Sequence, residues 1–351
     1  MLTQADIANY LLSLELVKPR VVVEEELTVV DASRRNCVFL ALIREGPAFV
    51  VKQNTRGEAL PLVHEAAVLR ALAQTPGLSG HAPRVVHHDP DAARLVLRTA
   101  GGGRDWTEHQ RAARFPRTQA RLLGQMLADL HRLPADHVEA LPPGVDAMWG
   151  LSLPEPPHRM LLDLSTGAQD LVARLQASQE LCGRLKELEG LGFNGVLVHG
   201  DLRWDNCLAV AAGSSHRRTG LLLVDWELAG HGAAAFDLGT VLAEYLRTWL
   251  ESVPIVDPAE PGRFVAQARY PLQRMQPAVH AFWSSYALAS PRRPTLRHVI
   301  ELAAVRLLQA AVEQAQGMAT PSAHQVTLLQ LADNLLRHPE HAAVRLLGLR
   351  E

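Results

Sequence analysis

Cysteine is scarce in this sequence, which limits the covalent and metal chemistry open to it. There are three cysteines, Cys37, Cys182 and Cys207. Three thiols cannot all pair with one another, and their spacing matches no zinc or haem pattern. The 16 histidines are scattered and also lack the spacing of a metal site. We therefore expect reduced, buried thiols rather than a disulfide framework or a cysteine-ligated metal centre.

The chain also lacks a surplus of one charge and any long apolar run. Its formal net charge is −2 with the two signs interspersed, which argues against a nucleic-acid footprint or an anionic membrane surface. No apolar run approaches the roughly 20 residues of a membrane span. Residues 1–14 lack the basic start and cleavage site of a signal peptide. We expect a cytoplasmic protein with neither nucleic-acid nor membrane partners.

What the sequence does contain is typical of a soluble globular protein. It has 351 residues, of which 48% are apolar and 21% charged, and this length predicts about two domains or lobes. A helix is predicted over residues 3–14. β-rich runs at residues 21–30, 37–43 and 48–51 then predict an antiparallel meander, and two further runs within residues 85–98 extend it to about five strands. The pattern beyond residue 115 is mostly helical.

One stretch concentrates groups suited to phosphoryl transfer. Residues 198–206 read Val-His-Gly-Asp-Leu-Arg-Trp-Asp-Asn, and residues 221–227 read Leu-Leu-Leu-Val-Asp-Trp-Glu. Mg²⁺ prefers hard oxygen ligands together with water and phosphate oxygens, a role that fits Asn206 and Asp225. A second carboxylate must accept the proton of the attacking hydroxyl, and a cation must offset the transferred charge. Asp201 and Arg203 fit these jobs, although a polar hairpin with capping residues is the structural alternative.

The order of these residues resembles the catalytic and metal loops of protein kinases, and the His-Gly-Asp form resembles the aminoglycoside phosphotransferase/choline kinase family. Further matches to that family are Lys52, Glu65, the glycine-rich segment before Arg104, Leu130-His131 and Asp237. The resemblance implies an α+β, protein kinase-like two-lobe fold. A small antiparallel β-sheet lobe would span residues 1–98, a hinge residues 99–104, and a large, mostly helical catalytic and acceptor-binding lobe residues 105–351.

The same resemblance implies ATP, or another nucleoside triphosphate, and Mg²⁺ as cofactors. Lys52 would hold the phosphates and Glu65 would position it, while backbone groups near Arg98 and Ala100 would meet the adenine edge. Residues 31–36 lack a glycine triplet, so the Ser33 hydroxyl, backbone amides and Arg34 or Arg35 would contact phosphate instead. Taken alone, Lys52 could be a solvated strand end and Glu65 a solvated helix residue. Residues 31–36 could likewise be a tight turn with an exposed arginine pair, and the glycine-rich segment an ordinary surface loop. Asp237 would anchor the catalytic loop.

The acceptor is less defined than the nucleotide site. Arginines in the C-terminal region argue against polycationic aminoglycosides, and they are Arg292, Arg293, Arg297 and Arg306. The Ser-Arg-Arg-Asn loop, Trp204 and the Asp-Trp-Glu motif resemble the phosphotransferase-like kinases of class V lanthipeptide pathways. That likeness implies Ser or Thr of a precursor peptide as acceptor and a lyase as partner protein. A small metabolite alcohol or sugar stays open.

A different class of function is a non-catalytic kinase-like scaffold that binds nucleotide or peptide in a biosynthetic complex. A broken catalytic set would indicate it, and none of the residues named above is missing. The aromatic residues Trp249, Phe282 and Trp283 could stack on an acceptor, but their helical spacing is more typical of a core. Trp204 has no role that its sequence context assigns.

Overall fold

The structure is a computed structural model that describes residues 1–33, 37–44, 46–54, 60–99, 103–133, 141, 147–191, 195–211, 219–290 and 292–350. The chain forms two compact units. The N-terminal unit contains Met1–Trp106 and Trp204–Gly230; the C-terminal unit contains Thr107–Leu133, Asp146–Arg203 and His231–Glu351. The lobe boundaries at residues 98 and 105 remain a prediction.

An antiparallel sheet of five strands forms the centre of the N-terminal unit. In sheet order the strands are β1 (Leu27–Asp31), β2 (Cys37–Ile43), β3 (Ala48–Gln53), β5 (Arg94–Thr99) and β4 (Arg84–Asp89). One face is covered by α1 (Ile7–Ser13), where Ile7 and Leu11 join Phe39, Phe49 and Val96 in a buried apolar cluster. Helix α3 (Leu60–Ala73) follows β3. This confirms the predicted meander, the fifth strand and the α+β class.

The first predicted strand is wrong over half of its length. Residues 21–30 were expected to be extended because of their valines, yet Pro19–Val23 is a short helix, α2, and only Leu27–Asp31 is strand. Pro19 stands in the first helical turn, where its fixed φ favours helix initiation. The helix ends before Glu25, whose φ is 54°. Val21 and Val22 still pack against the apolar cluster, so burial is satisfied without a strand.

Five further strands complete the β-structure of the described residues. They are β6 (Arg104–Asp105), β7 (Val196–Val198), β8 (Cys207–Ala211), β9 (Thr219–Leu223) and β10 (Gly230–Gly232). Strand β8 lies between β6 and β9, while β7 pairs with β10. A 3₁₀ turn, Trp204–Asn206, leads into β8.

All three cysteines are free thiols, but only Cys207 is fully buried, so the expectation of three buried thiols is wrong for Cys37 and Cys182.

Helices dominate the C-terminal unit. Those that follow β6 are α4 (Trp106–Arg111), α5 (Arg117–Leu130), α6 (His158–Asp163), α7 (Thr166–Gln176), α8 (Gln179–Gly190), α9 (Ala234–Leu250), α10 (Gln276–Ala289), α11 (Leu296–Gln314), α12 (Ala323–Arg337) and α13 (Pro339–Ala342). Shorter 3₁₀ or π turns are Gln4–Asp6, Trp149–Ser152, Pro261–Gln267, Leu272–Arg274 and Ala343–Leu347.

Trp249, Phe282 and Trp283 are buried, in agreement with a core role. No described helix is long and apolar enough to cross a bilayer.

Helix α9 approaches α11 closely at Gly239. A Cβ there would lie 2.7 Å from the Ala303 nitrogen and 2.8 Å from the Val299 oxygen, both backbone atoms that cannot rotate away. We predict that Gly239→Ala destabilises the protein by about 1–3 kcal/mol through overpacking. Thermal unfolding measures the effect. The matched control is Gly183→Ala in α8, where a Cβ meets nothing within 4 Å and helix propensity should raise stability by up to about 1 kcal/mol.

Candidate active site

Lys52, Glu65 and Asp225 form one hydrogen-bonded cluster in the N-terminal unit. The Lys52 ammonium on β3 donates to both carboxylate oxygens of Glu65 on α3 at 2.8 Å and to Asp225 Oδ1 at 2.7 Å. Glu65 is completely buried and Lys52 is 7% exposed. The Lys52 side chain thus contacts two residues that lie 13 and 173 positions later in the sequence. The structure brings together three of the predicted site residues.

Charge compensation keeps this buried lysine ionised. Burial by itself lowers the pKa of Lys52, but the neighbouring carboxylates of Glu65 and Asp225 outweigh that effect and hold the pKa above its ordinary value. Lys52 therefore carries its positive charge throughout the neutral range. A permanent cation beside a partly exposed carboxylate suits the binding of an anionic group such as a phosphate.

Glu65 also holds the chain immediately after Asp225. Its Oε1 accepts the backbone N–H of Trp226 at 3.3 Å, so one glutamate contacts both Lys52 and the segment that carries Asp225. Asp225 itself has φ 66°, a left-handed conformation that costs most residues energy but that Asp and Asn tolerate. Such strained residues are frequent at functional sites. The hydrogen bond from Lys52 holds the Asp225 carboxylate in the cluster.

Asn206 is buried at the end of the 3₁₀ turn that precedes β8. Its backbone oxygen accepts the N–H of Val224 at 3.0 Å, which ties the Asn206 segment to the residue before Asp225. Trp204 in the same turn is also buried, and its ring packs against Trp106 in a tilted arrangement with the centroids 5.1 Å apart. Trp204 is therefore a packing residue beneath the turn and does not present its ring to solvent.

The loop that carries Asp201 belongs to the C-terminal unit and is anchored by Asp237. This buried carboxylate, in the first turn of α9, accepts the backbone N–H groups of His199 at 2.8 Å and of Gly200 at 3.0 Å. Gly200 has φ 80°, a conformation that glycine adopts without strain. The expected anchoring role of Asp237 is confirmed. Its two accepted hydrogen bonds fix the backbone directly before Asp201.

His131 and Tyr286 support the anchor from behind. His131 Nε2 lies 3.2 Å from Asp237 Oδ2, and its Nδ1 lies 3.0 Å from the Tyr286 hydroxyl. If Nε2 donates to the carboxylate, Nδ1 is left to accept from the hydroxyl. Burial raises the pKa of Tyr286 to about 12, so the hydroxyl keeps its proton at neutral pH. His131 is structural, as its position at the end of α5 predicts.

Asp201 is paired with arginine. Its Oδ2 lies 3.1 Å from Arg203 Nε, and its Oδ1 lies 3.9 Å from Arg306 Nη2 on α11. The backbone N–H of Asp201 points to Nδ1 of the buried His199 ring at 3.3 Å. Two of the predicted site residues, Asp201 and Arg203, are thus in direct contact. The carboxylate is mostly buried and faces positive charge on two sides.

The remaining predicted contacts concern the nucleotide. The Ser33 hydroxyl accepts the Val38 N–H at 3.0 Å, and the Ser33 backbone N–H donates to Asp31, so Ser33 is hydrogen-bonded to residues of both β1 and β2. Arg98 lies in β5, in register with Phe49 and Arg84 on the two adjacent strands, with its side chain exposed. Ala100, Arg34 and Arg35 lie outside the described residues. Nucleotide contacts by these residues remain predictions.

Comparison with known proteins decides the family. The sequence profile of the phosphotransferase enzyme family matches residues 26–267. This chain belongs to the phosphotransferase enzyme family. Its members transfer a phosphoryl group to an alcohol, so the activity class is that of a kinase. No curated protein sequence matches the chain.

Solved structures of phosphotransferases are similar to this chain at low sequence identity. The GDP complex of aminoglycoside 2'-phosphotransferase-IIIa is 13% identical with a TM-score of 0.51, over 96% of this chain and 98% of that one. Macrolide 2'-phosphotransferase type I is 15% identical with a TM-score of 0.49, over 95% and 98%. Choline kinase from Streptococcus pneumoniae is 16% identical with a TM-score of 0.46, over 92% and 98%. The TM-score of 0.51 with aminoglycoside 2'-phosphotransferase-IIIa supports the kinase-like fold, and an identity of 13% does not indicate a substrate.

The sequence motifs do not identify Arg306, which the structure places beside Asp201. Residues 302–312 read Leu-Ala-Ala-Val-Arg-Leu-Leu-Gln-Ala-Ala-Val, and Arg306 is the only charged residue in this run. A single arginine in an otherwise apolar helical stretch signals a buried, paired cation. The sequence pattern does not indicate which carboxylates pair with Arg306.

Proposed function

We propose that this phosphotransferase moves the γ-phosphate of ATP, or of another nucleoside triphosphate, to an acceptor hydroxyl with Mg²⁺. The observation that carries the proposal is the buried cluster of Lys52, Glu65 and Asp225. Glu65 holds the lysine in place while a phosphate oxygen takes the position at Lys52 Nζ that Asp225 Oδ1 now occupies. Exchange of one anionic partner for another conserves the charge balance of a buried cation.

The donors present fit a magnesium ion. Asp225 offers a carboxylate and Asn206 an amide oxygen, both hard ligands, and Mg²⁺ commonly takes one or two carboxylates together with substrate phosphates. The Asp225 side chain is 32% exposed beside Lys52, so a ligand can reach it. The chemistry that Mg²⁺ supplies when bound is neutralisation of charge on the phosphate oxygens. Asn206 and Asp225 would hold it, and the Val224–Asn206 hydrogen bond keeps their two segments together.

Asp201 is the residue we assign to the acceptor. Its carboxylate orients the acceptor hydroxyl and accepts its proton, and Asn206 follows five positions later in the chain. Arg203, whose side chain is about one-third exposed and lies on Asp201 Oδ2, offsets the negative charge of the transferred group. Positioning and electrostatics account for most of the rate in such reactions.

The acceptor is either a small-molecule alcohol or Ser/Thr of a lanthipeptide-type precursor peptide that a partner lyase then processes. The peptide reading rests on the resemblance of the loop 33–36 and of the two tryptophan-bearing motifs. Fewer C-terminal arginines disfavour a cationic aminoglycoside than the sequence implies. Arg297 pairs with Glu301 and Glu340, and Arg306 pairs with Glu313, so glutamates compensate their charges. Arg292 and Arg293 are exposed and still disfavour such an acceptor.

Labelled ATP tests the proposal. The protein is incubated with γ-labelled ATP, Mg²⁺ and two acceptor panels, one of small alcohols and sugars and one of Ser/Thr peptides. We expect label on a hydroxyl in one panel and a Mg²⁺-dependent release of ADP, with GTP as a second donor. Mass spectrometry locates the phosphate on a small molecule or on a peptide residue. Binding of ATP without ADP release in any reaction would contradict the proposal and favour a non-catalytic scaffold.

A further inference from the structure

The most buried stretch of α11 contains one charged side chain. Every residue from 302 to 312 is buried, and Arg306 is 4% exposed. A guanidinium removed from water is stable only when anionic partners replace its hydration. Its partners therefore indicate what this arginine does.

Arg306 has two carboxylates within reach. Its Nη1 and Nη2 donate to the two carboxylate oxygens of Glu313 at 3.1 and 3.2 Å, a bidentate pair two turns along the same helix. The same Nη2 lies 3.9 Å from Asp201 Oδ1. Glu313 sets the plane of the guanidinium, because a bidentate pair fixes orientation as well as distance. Nη2 is thereby directed between Glu313 and Asp201.

Asp201 then has a cation at each carboxylate oxygen. Arg203 reaches Oδ2 from the loop itself, and Arg306 approaches Oδ1 from α11. We infer that Arg306 is a positioning residue, which holds the Asp201 carboxylate in one orientation for the acceptor hydroxyl. This inference rests on the proposed role of Asp201 as proton acceptor. It assigns the base a rigid support in the helical core, in addition to its neighbour in the loop.

The physical contrast between the two arginines supports this division of roles. The Arg203 side chain is 34% exposed and belongs to the same loop as Asp201, whereas the Arg306 side chain is 5% exposed on a long helix. An exposed pair is screened by water and adds little orientation, while a buried pair acts at lower effective dielectric. His199, through its ring nitrogen on the Asp201 N–H, fixes the backbone but not the carboxylate.

A double-mutant cycle tests the inference. Arg306→Met, Asp201→Asn and the double variant are compared for Mg²⁺-dependent ATP turnover, with water as acceptor where no other is known. We expect Arg306→Met to lower kcat by roughly 10- to 100-fold, the cost of a misplaced catalytic group, with the KM for ATP changed less than about twofold. In the Asp201→Asn background the same change should have almost no further effect. Arg306→Lys, which keeps the charge but not the planar fork, should be intermediate.

The matched control is Arg297→Met. Arg297 lies on the same helix and pairs with Glu301 and Glu340, so it reports the loss of an arginine from α11 away from Asp201. A kcat for Arg306→Met no lower than that of Arg297→Met, or losses that multiply in the double variant, would overturn the inference. If the wild-type protein shows no turnover at all, the proposed function fails instead. Thermal unfolding of the same variants then tests only whether Arg306 and Asp201 interact. Additive shifts in Tm would show that they do not and would overturn the inference.

Discussion

Replacement of Asp225 by asparagine is expected to abolish turnover. The variant keeps the side-chain size, and asparagine accepts the left-handed backbone that Asp225 adopts at φ 66°. It removes the carboxylate that would bind Mg²⁺. Metal ions contribute several kcal/mol of transition-state charge stabilisation, and each 1.36 kcal/mol is a factor of about ten. We therefore expect kcat to fall by about a thousandfold or more, measured as Mg²⁺-dependent ADP release.

Lys52 makes this variant informative in a second way. In the wild-type protein its ammonium donates to Asp225 Oδ1 and to Glu65; with asparagine it retains Glu65 as its anionic partner. ATP should still bind through Lys52, so the loss falls on kcat. The control is Asp170→Asn on α7, where Asp170 is partly exposed and pairs with Arg174, and this variant should turn over like wild type. Full Mg²⁺-dependent activity in Asp225→Asn would exclude the assigned metal role.

The second large effect is expected for Asp201→Asn. An amide cannot accept the proton of the acceptor hydroxyl, and a positioned general base contributes about 10²- to 10⁴-fold. The loss should appear in kcat, because Asp201 is not assigned to the nucleotide. Single-turnover kinetics with saturating ATP separate this step from binding. The Kd for ADP should stay within about twofold of wild type if the interactions with nucleotide are unchanged.

Arg203 and Arg306 should make the Asp201→Asn variant less stable than the wild type. Both lie against the carboxylate, so Asp201→Asn leaves their charges less compensated. A moderate drop in Tm is expected, so the variant must be shown to be folded and monodisperse before its kcat is compared with that of the wild type. An Asp201→Asn protein that folds and retains more than about a tenth of the wild-type kcat would show that proton acceptance is not its role.

The chemistry of the N-terminal cluster could be predicted because it depends on residue types in a fixed order. Lys52 at the third strand and Glu65 on the following helix match the family pattern, and the structure joins them at 2.8 Å. The same holds for Asp237, whose expected hydrogen bonds to the catalytic loop are present. Ordered motifs carry such information because Lys52, Glu65 and Asp237 each lie on a different element, β3, α3 and α9.

Other features could not be predicted because they depend on tertiary contacts. The valines of α2 favour a strand locally, but Pro19 and the packing of Val21 on the apolar cluster favour a helix. Trp204 is equally compatible with an exposed or a buried ring until Trp106 is placed against it. Arg306 stands 105 residues after Asp201 in the sequence, and only the position of α11 brings the two charges together.

The central claim is that Asp225 binds the metal that accompanies the nucleotide beside Lys52. Calorimetric titration of a non-hydrolysable ATP analogue, with and without Mg²⁺, tests it directly and needs no acceptor. We predict that Mg²⁺ tightens binding to the wild-type protein by about tenfold or more, equivalent to about 1.4 kcal/mol, and that Asp225→Asn loses this gain while binding the metal-free analogue at least as well. Equal Mg²⁺ dependence in the two proteins would contradict the account.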